Sequence, residues 1–329
     1  MAIKLEHINK SFKIFKRDAG LSGAIKSFIF RKYEKVTALR DISLKINDGE
    51  IIGVLGQNGA GKTTLIKILA GLIHPTSGNL DVNGFTPSKR KNDFLKQISV
   101  VMGQKNQLWW DIPASESFLL NQKIYDIEKT AYQSRLDELV NLLNVEDKLN
   151  VQVRRLSLGE RMKMEIIAAL LHNPKIVFLD EPTIGLDVIS QSKIRDFVKE
   201  YNHKHNTTFL ITSHYMNDIQ ALCERVYVID NGIGLYDGNF DKLIEKINPL
   251  KKLIFELEKN SDINKIIQVL GKHKIEIHEN ILSAQLPDEK MTNLISELFK
   301  IIKPKSFTVE ELPVEDAMRS FFNNPSKYI

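Results

Sequence analysis

A glycine-rich segment followed by a lysine and two threonines indicates chemistry most directly in this sequence. It fits the pattern G-x-x-x-x-G-K-[ST], and its residues are Gly56, Gln57, Asn58, Gly59, Ala60, Gly61, Lys62, Thr63 and Thr64. A short apolar run precedes it and apolar residues at helical spacing follow it, so we expect it to join a strand to a helix. Glycines let backbone N–H groups surround a phosphate, and in such loops the lysine reaches the β- and γ-phosphates while the hydroxyl of Thr63 binds Mg²⁺. The segment therefore predicts a nucleotide-binding loop.

Two adjacent carboxylates follow a second apolar run, at residues 175–179. Asp180 and Glu181 end this predicted strand, and the carboxyl ends of parallel strands face the ligand crevice of an α/β sheet. Alone, the pair would be typical of a solvated surface turn. Together with the phosphate loop, it predicts Asp180 as a Mg²⁺ carboxylate and Glu181 as the base that activates the attacking water.

Three further segments complete an ordered set of motifs. They are LSLGE at 156–160, IGLD at 184–187 and TSHYM at 212–216. In this order and spacing the set resembles the nucleotide-binding subunit of ABC transporters, and the resemblance covers about residues 1–245. Leu158 and Glu160 depart from the commonest signature, LSGGQ, but neither change removes a phosphate donor.

The resemblance implies a role for each of five more residues. Ser157 and Gly159 look like the signature that reaches the γ-phosphate bound by another copy of the chain, and Asp187 looks like the residue that crosses to the partner. His214 resembles the switch histidine at the γ-phosphate, and Gln104 the glutamine that senses Mg²⁺. Each composite site needs a second copy, so the resemblance implies a head-to-tail homodimer that binds and hydrolyses ATP with Mg²⁺.

The residue that stacks on adenine has two candidates. Phe12 occupies the place of the usual aromatic near the end of the first strand in the resemblance. An insertion of roughly twenty residues follows it, so Tyr33 has the spacing to Ala38 and Leu39 that shorter relatives show. Either ring offers a face on which a base can stack.

Two features of the chain indicate its expected transport partner. The insertion near 16–35 and the C-terminal extension resemble ATPases that act with ABC-2-type exporter permeases, which are separate membrane subunits. Trp109 and Trp110 fall in the segment that receives the permease in this family, although core packing is the usual role of tryptophan. The insertion is basic and apolar, as a segment at the membrane face would be; a solvated loop is the alternative.

The elements that must position these residues alternate between strands and helices, which favours a mainly parallel α/β sheet. The resemblance implies the P-loop NTPase fold of the ABC type, with a mixed sheet core in residues 1–247 and a helical signature subdomain near 105–172. Beyond, in 248–329, the pattern predicts β-α-β-β-α-β, a small α+β ferredoxin-like domain with a final helix at 313–322. No residue set in it is spaced like a catalytic site, so we expect a regulatory or dimerisation role.

The composition of the chain excludes several other classes of protein. The 329 residues are 43% apolar and 26% charged, without an uninterrupted apolar run of 18 residues or the apolar core of a signal peptide. A single cysteine, Cys223, excludes an intramolecular disulfide and is consistent with a reducing, cytoplasmic compartment. The resemblance implies a peripheral position at the inner face of the cell membrane. The net charge of +5 arises from dispersed lysines, so no nucleic-acid partner is expected. A non-transport ABC ATPase acting on nucleic acid or the ribosome is the alternative.

Overall fold

The computed structural model describes residues 1–16, 32–103, 105–213, 215–248, 250–258, 263–271, 274–311 and 313–328. The chain divides into two compact units, residues 1–240 and 241–329. The boundary expected from the sequence, at 247, is the last residue of the helix Phe240–Ile247, which begins at this division.

The strands fall into three sheets. One has six strands in the order β5-β6-β7-β3-β8-β9, one has three in the order β2-β1-β4, and one has four in the order β11-β12-β10-β13. The strands are β1 (Ile3–Lys16), β2 (Lys32–Ile46), β3 (Ile51–Leu55), β4 (Ser77–Val82), β5 (Ile98–Met102), β6 (Ile176–Asp180), β7 (Thr208–Thr212), β8 (Arg225–Asp230), β9 (Ile233–Asn239), β10 (Leu250–Glu256), β11 (Lys274–His278), β12 (Ile281–Pro287) and β13 (Ser306–Glu311).

Eleven α-helices lie in the described residues, and short 3₁₀ turns occur between some of the elements. The helices are α1 (Lys62–Leu69), α2 (Asn92–Leu95), α3 (Ala114–Ile124), α4 (Lys129–Leu143), α5 (Leu158–Leu170), α6 (Val188–His205), α7 (Met216–Leu222), α8 (Phe240–Ile247), α9 (Ile263–Leu270), α10 (Asp288–Ile301) and α11 (Val314–Asn323). In the described part of the chain, none of them has the length and apolar content that a bilayer crossing requires.

The six-stranded sheet positions the phosphate loop. Its first five strands are parallel, and only β9 runs antiparallel, to β8. β3 lies in the middle, with Ile52, Val54 and Leu55 fully buried, as the apolar run predicted for a strand covered on both faces. Because β3, β6 and β7 are parallel, their carboxyl ends meet at one edge of the sheet.

The second unit contains the four-stranded antiparallel sheet. Its elements follow the order β10-α9-β11-β12-α10-β13, and β10 pairs with both β12 and β13. This is the split β-α-β-β-α-β arrangement, so the ferredoxin-like prediction is confirmed. A separate apolar core, which includes Leu253, Phe255 and Leu282, stabilises the unit.

Candidate functional site

The phosphate loop joins β3 to α1, as the sequence predicted. Gly61 precedes α1 with a φ of 114°, a conformation that favours glycine, and an added Cβ there would lie 2.8 Å from the carbonyl oxygen of Ala38. At Gly56 an added Cβ would lie 2.3 Å from the carbonyl oxygen of Ile229. These two glycines therefore let the loop pass close to neighbouring backbone.

The loop forms a cleft of about 160 Å³. Its lining consists of Ala38, Glu181 and most of the glycine-rich segment: Gln57, Asn58, Gly59, Ala60, Gly61, Lys62, Thr63 and Thr64. At Gly59, where φ is 82°, an added Cβ would meet no atom within 4 Å. The cleft thus brings the predicted phosphate-binding residues together with the predicted base.

Lys62 is the buried cation of the cleft. Its Nζ donates hydrogen bonds to the carbonyl oxygens of Gly56, at 2.6 Å, and Gln57, at 3.1 Å. Burial lowers the pKa of Lys62 below its usual value. The nearby carboxylates of Glu181 and Asp180 favour the charged form and offset only part of this effect. A partly desolvated ammonium on backbone carbonyls is poised to bind an anion more strongly than a solvated one would.

Asp180 connects the phosphate loop to two strands. Its Oδ2 accepts a hydrogen bond from Thr63 Oγ1 at 3.0 Å, and its Oδ1 accepts one from Thr212 Oγ1 at 2.7 Å. Thr212 was not predicted as a site residue. The register pairs Asp180 of β6 with Thr212 of β7, which is the relationship that places the two side chains together.

Glu181 follows directly and has an unusual backbone conformation. Its φ is 57°, in the left-handed region that non-glycine residues rarely adopt. Its N–H is held by Thr212, whose carbonyl oxygen lies at 3.0 Å and whose hydroxyl oxygen lies at 3.1 Å. Such a conformation costs free energy and persists where the surrounding structure enforces it.

The buried carboxylate of Asp218 connects the segment that follows Glu181 with the segment that precedes position 214. Its Oδ1 binds Arg195 at 2.6 Å, and its Oδ2 accepts hydrogen bonds from Thr183 and, at 3.2 Å, from Ser213. Thr183 lies two residues after Glu181, and Ser213 directly precedes position 214. This cluster was not predicted from the sequence, where its only signal is an acidic residue four positions after the predicted switch histidine.

The signature residues begin helix α5. Ser157 Oγ accepts a hydrogen bond from the N–H of Glu160 at 3.2 Å, and Glu160 Oε2 accepts one from the N–H of Ser157 at 2.9 Å. This is a capping box, so the departure from LSGGQ at Glu160 stabilises the start of the helix. The hydrogen bond from Ser157 N–H lowers the pKa of Glu160.

Asp187 begins α6 in a similar way. Its side chain accepts hydrogen bonds from Ser190, at 2.9 Å from the backbone N–H and 2.6 Å from the hydroxyl, and these lower its pKa. An added Cβ at Gly159 would lie 2.5 Å from Ser190 Oγ. The signature and Asp187 are therefore neighbours, but Ser157, Gly159 and Asp187 do not line the phosphate-loop cleft.

The two adenine candidates lie on opposite faces of the β1–β2 ribbon. Phe12 pairs with Val36, and Tyr33 pairs with Phe15, three positions further along β1. Val36 is two residues from Ala38, which lines the cleft, and Tyr33 is five. At about 3.3 Å per residue, the Phe12 pair is nearer to the cleft by roughly 10 Å.

Trp109 and Trp110 are on the surface rather than in the core, with 61% and 44% of their area exposed. The ring of Trp110 lies 5.1 Å from the guanidinium of Arg161 on α5. The buried carboxylate of Glu165, on the same helix, accepts hydrogen bonds from the N–H groups of Gln107, at 2.9 Å, and Leu108, at 3.2 Å. The tryptophan segment is thus attached to the signature helix.

Three predicted features lie outside the described residues. They are Gln104, His214 and residues 17–31, which form most of the predicted insertion.

Comparison with known proteins gives a consistent result. The family model described as ABC transporter matches residues 39–184. The ABC transporter ATP-binding protein NatA of Bacillus subtilis (strain 168) is 34% identical over 235 residues, 71% of this chain and 91% of that protein. The bacitracin transport ATP-binding protein BcrA of Bacillus licheniformis is 33% identical over 249 residues, 76% of this chain and 78% of that protein.

A solved structure of an ATP binding subunit of an ABC transporter has the same fold. It superposes with a TM-score of 0.61 at 22% identity, over 75% of this chain and 93% of the other. The prediction of the ABC-type P-loop fold is therefore confirmed. From the relatives and the fold together, the chain belongs to the ABC transporter family and is one of its ATP-binding ATPase subunits.

Proposed function

We propose that the cleft around Lys62 hydrolyses MgATP to drive an ABC-2-type exporter. The observation that supports this is the gathering of Lys62, Thr63, Asp180 and Glu181 at one edge of the six-stranded sheet. Lys62 binds the β- and γ-phosphate oxygens in exchange for its present carbonyl partners. The loop N–H groups and the N-terminus of α1 add further positive charge around the phosphates.

The donor set at Thr63 and Asp180 fits Mg²⁺. Both side chains offer oxygen, the ligand that Mg²⁺ prefers, and they already lie within hydrogen-bonding distance of each other. In the described residues, no group of three acidic, histidine or cysteine side chains is arranged to hold a metal. One or two protein ligands completed by substrate phosphates are typical of Mg²⁺ sites in nucleotide hydrolases. When bound, Mg²⁺ neutralises charge on the phosphate oxygens.

Glu181 is our candidate for the general base. Its backbone is fixed by Thr212, and its side chain lines the cleft that holds the phosphates. A carboxylate in that place can accept the proton of the water that attacks the γ-phosphate. We assign His214 to alignment of the γ-phosphate and Gln104 to Mg²⁺ sensing, and Phe12 to stacking on the adenine.

We further propose a head-to-tail homodimer. Ser157, Gly159 and Asp187 lie apart from the cleft of their own chain, so they act on ATP that a second copy binds. Ser157 at the start of α5 offers a hydroxyl and a helix N-terminus to that γ-phosphate. ATP would then be required to bridge the two half-sites.

Trp109 and Trp110 form our proposed contact with the membrane permease subunit. Aromatic residues are enriched among the residues that contribute most to binding at protein interfaces, and these two are exposed beside the signature helix. Attachment through Glu165 would transmit movement between the permease and α5. In this arrangement the chain is peripheral, at the inner face of the cell membrane. We assign the second unit to regulation or dimerisation.

Copurification with an ABC-2-type permease tests this function. We expect permease subunits encoded beside this gene to retain the chain in membranes, and expect Trp109→Ser with Trp110→Ser to abolish retention while the free chain still hydrolyses ATP. Ile281→Ser, at an exposed position of the second unit, is the control. Equal retention of all three proteins would contradict the proposed contact, and loss of ATP hydrolysis in both variants would indicate misfolding.

A further inference from the structure

Strand β13 is an exposed edge of the four-stranded sheet in the second unit. It pairs with β10 on one side in an unbroken register without a bulge, and all six of its residues are exposed. In the described residues no strand pairs with its other side. Proteins usually protect such edges with prolines, bulges or central charges. β13 reads SFTVEE, with no proline and with both of its charges at one end.

An aromatic cluster extends to this edge from the core of the unit. Phe255 is fully buried, and its register partner on β13 is Phe307. The Phe307 ring lies 6.1 Å from the Phe255 ring and 5.2 Å from that of Phe299, between ring centroids. Phe307 remains 49% exposed, and Val309, on the same face of the strand, is 41% exposed. The edge therefore combines unpaired backbone with apolar side chains.

We propose that β13 pairs antiparallel with β13 of a second copy of this chain, about a two-fold axis at Thr308. The two sheets then form one sheet of eight strands. In this register Thr308 faces its own equivalent, Phe307 faces Val309 of the partner subunit, and Lys305 faces Glu311 of the partner subunit. Each Phe307 thereby gains an apolar neighbour on the side that is now exposed.

The sequence of the strand selects this register over its neighbours. An axis at Val309 would place Phe307 opposite Glu311 and Thr308 opposite Glu310. An axis at Phe307 would place Phe307 opposite its own equivalent and Lys305 opposite Val309. Only the axis at Thr308 joins apolar to apolar and lysine to glutamate, the pairs that stabilise neighbouring strands. Lys305 is available, since its contact with Glu256 spans 3.9 Å at the surface.

The pairing of two β13 strands is weak between separate chains and becomes effective when another contact holds the two chains together. A six-residue strand buries less than the roughly 1,200 Å² that stable interfaces need. In the proposed head-to-tail dimer, on which this inference rests, ATP holds two copies together and so raises the effective concentration of one β13 strand for the other. The second unit then stabilises the ATP-bound dimer without contacting ATP.

Disulfide crosslinking of the full chain tests the register. Residues directly opposite in an antiparallel pair have Cα atoms about 4.5–5.5 Å apart, within disulfide range. Thr308→Cys should therefore form a covalent dimer under mild oxidation. Ser306→Cys should not, because four positions separate the two copies of residue 306 by roughly 13 Å. A mixture of Ser306→Cys and Glu310→Cys chains should crosslink, and the native Cys223 is buried.

One outcome of the crosslinking experiment would overturn the proposal. If Thr308→Cys crosslinks no faster than Ser306→Cys, with or without MgATP, β13 does not pair in this way. Faster crosslinking of Thr308→Cys than of Ser306→Cys without nucleotide would support β13 pairing even if the head-to-tail assembly failed its own test.

A charge placed on the axis gives a second measurement. In a Glu181→Gln background with MgATP, we expect Thr308→Lys to raise the dimer dissociation constant about tenfold, since two like charges would lie opposite each other. Asn293→Lys adds the same charge at an exposed position of α10 and should leave the constant unchanged. Equal dimerisation of both variants would contradict β13 pairing. Failure of the unsubstituted background to dimerise would contradict the head-to-tail proposal instead.

Discussion

Thr63 and Asp180, 117 residues apart in sequence, are joined by a hydrogen bond of 3.0 Å from Oγ1 to Oδ2. The bond connects the first turn of α1 to the end of β6, and Thr212 holds the other carboxylate oxygen at 2.7 Å. The carboxylate is therefore already oriented. Thr63 and Asp180 would hold Mg²⁺ through the neutral hydroxyl oxygen and the carboxylate, with the hydrogen bond between them giving way to the metal and with little rearrangement of the site.

We expect Asp180→Asn to weaken Mg²⁺ binding more than ATP binding. The substitution removes one negative charge but preserves an oxygen of similar size, so we expect a loss on the order of 10–100-fold in metal affinity, the range typical of changes to the groups around a bound metal. Nucleotide binding measured across a Mg²⁺ titration checks this. Asp230→Asn, at the end of β8, is the matched control. An unchanged Mg²⁺ midpoint in Asp180→Asn would place the metal elsewhere.

Glu181→Gln separates catalysis from binding. The amide retains the shape of the side chain but cannot accept a proton, so we expect ATP hydrolysis to fall by about 10²–10⁴-fold. ATP affinity should change little, because Lys62 and the loop amides hold the phosphates.

His214→Ala should also lower the rate of ATP hydrolysis, whereas Lys62→Ala should weaken ATP binding itself. Measurements of affinity and steady-state turnover on the same preparations distinguish these roles.

Two controls accompany these variants. Glu297→Gln, at an exposed position of α10, should hydrolyse ATP as the unsubstituted chain does. Glu181→Gln with MgATP should also shift from monomer to dimer in light scattering, because unhydrolysed ATP continues to bridge the half-sites. Turnover near that of the unsubstituted chain in Glu181→Gln would assign the base to another residue.

Local patterns predicted the phosphate loop, because a glycine-rich turn, a lysine and their flanking strand and helix are all contiguous in sequence. The partnership of Asp180 with Thr212 depends instead on the register between β6 and β7. Register is a property of the packed sheet, so no contiguous pattern reports it. Asp218 and Arg195, 23 residues apart, were not predicted either, because they meet through the packing of helices α7 and α6, which no contiguous pattern reports.

The β1–β2 ribbon is longer than the alternating pattern of its sequence indicates. Apolar and polar side chains alternate at 3–8 and 42–46, but the strands run over Ile3–Lys16 and Lys32–Ile46. In the outer halves, residues 12–14 and 33–37 are all exposed, so these parts lack the buried alternation that marks a strand. Pairing across the predicted insertion supplies the missing stabilisation.

Gly159→Ala tests the contact between the signature and the segment of Asp187, because the added methyl group would clash with that segment. The added methyl group would lie 2.5 Å from Ser190 Oγ, and Ser190 is the hydrogen-bond partner of Asp187. We expect slower hydrolysis with nearly unchanged ATP binding to the monomer. Ser190→Gly in the same chain removes the clash and should restore part of the rate, which steady-state assays measure. A double variant as slow as Gly159→Ala alone would argue that steric contact with Ser190 is not the cause.

His172 provides a test of pH dependence that is independent of catalysis. Its ring stacks on Tyr125 with centroids 3.9 Å apart, and its Nε2 donates to the carbonyl oxygen of Ile98 at 3.0 Å. Burial lowers the pKa of His172 from 6.5 to about 4. Below pH 6.5 the unfolded chain therefore takes up a proton here that the folded chain excludes until about pH 4. The free energy of unfolding must fall as the pH falls through this window.

Between pH 7.5 and 5.0 we expect this histidine to cost the unsubstituted chain about 2 kcal/mol of unfolding free energy, at roughly 1.4 kcal/mol for each pH unit below 6.5. His172→Gln keeps an N–H donor for Ile98 without titrating, so its stability should depend less on pH by that amount. His203→Gln, at an exposed position of α6, should retain the full dependence. Urea unfolding followed by the fluorescence of Trp109 and Trp110, which lie in the same unit, provides the measurement. Parallel pH profiles for His172→Gln and the unsubstituted chain would mean that the folded protein admits the proton at this site.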